Sequence, residues 1–167
     1  MTLKTAGILG LVLTGSLLLA ASTARAANND SIVVNFQVNA FSEIQFQEAS
    51  VLLVATPPAP GANPAPVTQT AHYDISTNEV GRKITGNIDS GMPANTALRL
   101  NLTPPAGATG GGNLILPPTP GAVDLVTNIG PNATVGLNAV FEFAPNATAG
   151  VINPSQSRTC TITIIAQ

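Results

Sequence analysis

Charge, cysteine, histidine and large aromatic rings are all scarce in this chain. Charged residues are 8% of the 167, against about 25% in a typical globular domain. That excludes the charge-studded surface of an ordinary cytosolic enzyme. Six Lys/Arg against eight Asp/Glu give a net charge of -2. The basic footprint that a phosphate backbone demands is absent, which excludes nucleic acid as a partner. With no Trp and one Tyr, the chain lacks the stacking rings of a sugar-binding surface. One histidine, His72, and one cysteine, Cys160, fall short of the roughly four ligands of a structural zinc site. A lone cysteine makes no internal disulfide, so the fold must be held by its core. The 14 Pro and 15 Gly follow no three-residue period, which excludes collagen, and 44% apolar residues exclude disorder throughout.

The first feature present is an export signal. Lys4 supplies a positive charge, residues 6–21 are apolar apart from small polar interruptions, and Ala24-Arg25-Ala26 fits a small-x-small cleavage site. The run is shorter than the ~20 residues that span a bilayer. The reading is a signal peptide over 1–26, cut between Ala26 and Ala27. No lipid-anchoring cysteine follows, and no second span occurs. The mature chain keeps four Lys/Arg against eight Asp/Glu, a balance of -4. Its length suits one domain. Sequons stand at Asn29, Asn101, Asn132 and Asn146. The Ala-rich leader has bacterial character, so glycosylation is not expected.

Alternation dominates the rest. Ile32, Val34, Phe36, Val38 and Ala40 share one face of residues 31–41, and Ile44 and Phe46 continue the pattern over 43–47. The continuous apolar run 51–55 suggests a strand buried on both faces. Inward faces are expected at Ala71, Tyr73 and Ile75; at Ile84, Gly86 and Ile88; and at Leu98, Leu100 and Leu102. Segments 113–116 and 123–129 are weaker candidates. Residues 135–143 place Val135, Leu137, Ala139, Phe141 and Phe143 together, and 159–166 close the chain with Cys160, Ile162 and Ile164 in one phase. Cys160 reads as a small core hydrophobe. No mature stretch has a 3.6-residue period with cap and stop. Nine or ten short strands between Pro/Gly/Asn turns imply an all-β, two-sheet sandwich.

The loops and polar residues carry no catalytic signature. Residues 55–67 are Pro/Ala-rich and read as a stiff, extended surface loop. The Gly run at 107–112 lacks the helix and the Lys-Ser/Thr pair of a phosphate-binding loop. Pro-Asn-Ala-Thr-x-Gly recurs at 131–136 and 145–150, as similar turns at the two ends of one strand. His72 lies on the polar phase and Cys160 on the apolar phase, so no nucleophile dyad is expected. Glu79 and Asp89 sit at turns, where local hydrogen bonding explains them. The chain is not expected to be an enzyme or to hold a cofactor or metal.

What remains is assembly. An alternating segment directly after the cleavage site can complete a neighbour's sheet, main-chain bonds giving affinity and alternate side chains filling pockets. Repeated head to tail, this gives an open filament. The same segment could equally pair within its own domain, as in a monomeric secreted or periplasmic binding or adhesion module, and both readings stay open. The layout resembles the major subunits of bacterial fimbriae of the alpha type, built by the alternate chaperone–usher pathway. The similarity rests on residues 32–40, on Thr77-Asn78-Glu79-Val80-Gly81-Arg82-Lys83-Ile84-Thr85, and on residues 159–167. It implies an immunoglobulin-like sandwich over 42–167 and an N-terminal donor strand within 27–41. Ile32, Val34, Phe36, Val38 and Ala40 would be its subunit-interaction residues. It further implies a homopolymer at the cell surface, reached through the periplasm, with a chaperone and an usher as partners. The Pro-rich loop, the Gly run and Cys160 have no counterpart in that pattern.

Overall fold

The structure is a computed structural model that describes residues 31–153 and 155–167. The expected signal peptide and residues 27–30 lie outside the described residues. Residues up to Gln37 form one unit and Val38–Gln167 a second. In the first, residues 31–37 carry no strand and are exposed, Ile32 at 86% and Phe36 at 92%.

The second unit is all-β, with no helix among the described residues. Nine strands form in chain order: β1 Ser42–Phe46, β2 Val67–Thr77, β3 Arg82–Ile88, β4 Thr96–Leu102, β5 Thr109–Gly110, β6 Leu114–Ile115, β7 Val123–Ile129, β8 Asn132–Pro145 and β9 Cys160–Ala166. They make two antiparallel sheets, ordered β1-β2-β8-β4-β6 and β5-β7-β3-β9. Period-2 alternation turns one face of each sheet inward. Ala71, Tyr73, Ile75, Leu98, Leu100, Leu102, Ala139 and Phe141 come from the first sheet. Ile84, Ile88, Leu125, Val126 and Ile129 come from the second. Each fully buried aliphatic side chain contributes about 1.5–3 kcal/mol. Gly86 faces the same core, where a Cβ would stand 2.5 Å from Leu125 Cδ1. The missing side chain leaves the space that Leu125 of the neighbouring strand β7 fills.

Three expectations change. The alternating segment 31–41 is not a strand, and β1 begins at Ser42. Its pattern describes a face without supplying a partner edge. Residues 51–55 are not a doubly buried strand either. They belong to no strand, with Val51, Leu53 and Ala55 half-buried while Leu52 and Val54 are 74% and 63% exposed. Val135 points outward rather than inward. Between Tyr73↔Leu137 and Ile75↔Thr134, β8 spends one residue more than β2. This bulge flips the side-chain phase, and Gly136 takes the left-handed backbone there, at φ 68°. The Gly run also yields a strand that alternation does not reveal, β5, paired to β7.

Candidate functional site: an apolar groove between two open edges

β1 is the edge of one sheet and β9 the edge of the other. They approach each other with no ladder between them. Among the described residues β1 forms a ladder with β2 and β9 with β3. Beyond β1 the chain bends at residues 47–49 and runs on outside any strand through 51–55, its burial alternating. No backbone hydrogen bond joins 51–55 to another element among the described residues. Between this run and the stretch leading into β9 lies a cleft of about 1130 Å³. Its floor is Ala71, Leu98, Phe141 and Phe143 from the five-stranded sheet, with Met92 from the β3–β4 loop. Phe46 lies tilted against Phe141, ring centroids 5.8 Å apart.

Polar bonds pin each wall to the sandwich. Gln47 N–H donates to His72 O at 2.9 Å. Glu48 then takes His72 N–H at 2.6 Å through one carboxylate oxygen and His72 Nδ1 at 2.7 Å through the other. These bonds, the imidazole's first, hold the Glu48 carboxyl below its usual range. Asp74 accepts from Gly136 N–H, Gln47 Nε2 and Gln45 Nε2, led in effect by the Gly136 bond, and its pKa is likewise lowered. Opposite, Arg158 donates Nε and Nη2 to Gly91 O at 3.0 and 2.8 Å, fastening the approach to β9 onto the β3–β4 loop. Cys160 lines the cleft at this end, and burial pushes its thiol up to about 12. It is an unreactive packing group.

The chain enters the sandwich at the far end of β1, through a polar clasp. Phe41 N–H donates to Asn78 Oδ1 at 2.9 Å, and Asn78 Nδ2 donates to Asn39 O at 2.8 Å. Phe41 O accepts from Asn78 N–H and from Thr77 Oγ1. Ser42 Oγ donates to Glu79, which pairs with Arg82. Arg82 first and Ser42 second lower the Glu79 pKa. The carboxylate is thereby committed to structure.

The residues expected to mediate subunit contact, Ile32, Val34, Phe36, Val38 and Ala40, are all exposed. His72 bonds Glu48 on the outer face while Cys160 packs against the core. Among the described residues no three His, Cys, Asp or Glu side chains gather as a metal site. Sequence reasoning missed the groove itself, together with Met92, Glu48 and Arg158. The available signal was the run Val51-Leu52-Leu53-Val54. It is apolar on both phases yet ends at Pro57-Pro58, where a central strand cannot continue. No family model matches the chain, and no curated protein is significantly similar to it.

Proposed function

We propose that this protein is an exported structural subunit whose N-terminal segment, residues 32–40, fills the groove of a second copy, building a cell-surface filament. In this reading the domain is an immunoglobulin-like sandwich short of one strand. The observation that carries it is the groove: an apolar floor flanked by residues 51–55 and by residues 155–160, which lead into β9, with no ladder joining the two among the described residues. One added strand satisfies both edges and covers the floor, and an open edge is a template for such addition. The chain carries a segment of the right chemistry. Residues 32–40 are uncharged and alternate Ile, Val, Phe, Val and Ala on one face. Nine residues extend about 30 Å, enough to run the length of a strand such as β9.

The direction follows from connectivity. The segment joins its own domain at the β2–β3 turn, where Asn78 holds Phe41 and Gly81 O accepts Gln167 N–H. The groove is floored by Met92 and Phe143 at the opposite end. A filament needs the turn end of one copy to meet that opposite end of the next. The docked segment then runs beside 51–55 in the same sense and antiparallel to β9. The reverse direction sets two turn ends face to face and closes a pair. An open apolar groove also invites aggregation, so a periplasmic chaperone that covers it before an usher passes the subunit on fits the same chemistry.

Burying Ile32, Val34, Phe36 and Val38 contributes about 6–12 kcal/mol in all, against an association cost of about 4–15 kcal/mol. A single charge on the inserted face therefore decides the outcome. Phe36→Asp and Val34→Asp are expected to leave an exported, folded monomer and to abolish filaments. Negative-stain imaging and light scattering read this directly. Normal filaments from both variants, or a wild-type chain that stays monomeric at high concentration, would end this reading in favour of a monomeric module.

A further inference from the structure

Resting on that reading, we propose that Asn78 is the positioning residue that aims the N-terminal segment: its side chain clamps the chain where the segment leaves the domain, and so determines whether copies join into a filament.

The clamp is local and complete. The amide of Asn78 reaches across 37 and 39 positions of sequence to bond Phe41 N–H and Asn39 O. These are successive outward bonds of an extended chain, the pair that a neighbouring strand would make. Asn78 thus does with one side chain what a β-ladder does with a backbone. Its own backbone N–H adds a bond to Phe41 O at 3.3 Å. Thr77 Oγ1, which donates to Phe41 O at 3.1 Å and accepts Glu79 N–H at 3.1 Å, ties the clamp to the turn. Ser42 locks the next residue to Glu79 through its hydroxyl.

Two features separate aiming from mere stability. Val38 is 78% exposed and Phe41 41% exposed, and the two Asn78 side-chain bonds are exposed. Little apolar burial depends on them. The groove floor and walls contain none of these residues, so loss of the clamp leaves the acceptor untouched. What it removes is the hold on residues 39–41, from which the outgoing segment continues. A free pivot lets the segment fold back or lets two copies exchange segments, and closed species then compete with open chains.

The test compares wild type, Asn78→Ala and Asn78→Asp as exported chains. The aspartate keeps the acceptor for Phe41 N–H and loses the donor to Asn39 O. Two readouts are taken: affinity for a labelled synthetic peptide of residues 31–40, and the length and axial rise of assemblies by electron microscopy. The alanine variant is expected to bind the peptide within twofold of wild type yet form filaments at least about tenfold shorter, with closed small oligomers; the aspartate variant falls between. Filaments of wild-type length and rise from both variants overturn the proposal. Peptide affinity lost in step with filament length also overturns it, because Asn78 would then support the groove rather than the aim. A wild-type chain that neither binds the peptide nor polymerises overturns the groove reading, and this inference with it.

Discussion

Tyr73 shows how one residue can tie two strands of a sheet together across the strand between them. It is fully buried in β2, and its hydroxyl donates to Thr103 O at 2.6 Å, just past the end of β4. A buried phenol without a partner costs about 1–3 kcal/mol. Here the bond caps the strand end, and burial raises the phenol pKa well above its ordinary value. The sign follows from linkage. A group whose pKa is raised on folding stabilises fully below its unfolded value, about 10, and that contribution is lost as pH rises through the folded value. Chemical denaturation followed at rising pH should show wild-type stability falling above about pH 10. Tyr73→Phe should be about 1–3 kcal/mol less stable at neutral pH, from the orphaned carbonyl, with a shallower alkaline decline. Equal alkaline slopes would show that another group governs it.

Among the elements, those whose residues alternate and whose partners lie within the chain were legible before any coordinates. Ile84 and Ile88 in β3, and Leu98, Leu100 and Leu102 in β4, face the core as their spacing requires. Alternation failed where pairing rather than pattern decides. Residues 32–40 and 51–55 have strand chemistry but no ladder, because a strand is a property of two edges and a sequence displays one. Val135 failed for a related reason, since the bulge that turns it outward is set by register with β2. The groove was illegible because it exists between elements far apart in sequence, with Met92, Phe143 and Cys160 lining one cleft. Its two walls, joined to each other by no ladder among the described residues, make a sharp test. Adding a peptide of residues 31–40 to the intact chain should slow amide hydrogen exchange at 51–55 and along β9, and leave β7 unchanged. It should also slow alkylation of Cys160 at raised pH. Protection confined to one wall would mean that the peptide lies on an edge and not in the groove.

For the whole molecule, the proposed assembly and the folding of each domain would draw on different forces. The outgoing segment 32–40 has no charged residue, and the groove offers Glu48 and Arg158, both already engaged. Subunit joining should therefore depend little on salt. The acid limit is set inside each domain. Glu48 is held low by His72, Asp74 by the Gly136 amide and Glu79 by Arg82. A carboxylate whose pKa is depressed on folding stabilises above its unfolded value, near 4, and that stability is lost as pH falls through the folded value. The first two brace the start of the groove wall, and the third braces the clasp where the segment leaves. Protonation thus loosens the acceptor and the aim together. Thermal melting and light scattering across pH should be flat from about 5 to 8 and should fall in parallel below about 4, at low and high salt alike. Glu79→Gln removes one of the three charges, so its acid decline should be shallower and its neutral stability lower. Filaments that dissolve at mild acidity while the domain still melts at its neutral temperature would mean that charge at the subunit junction, and not within the fold, controls disassembly.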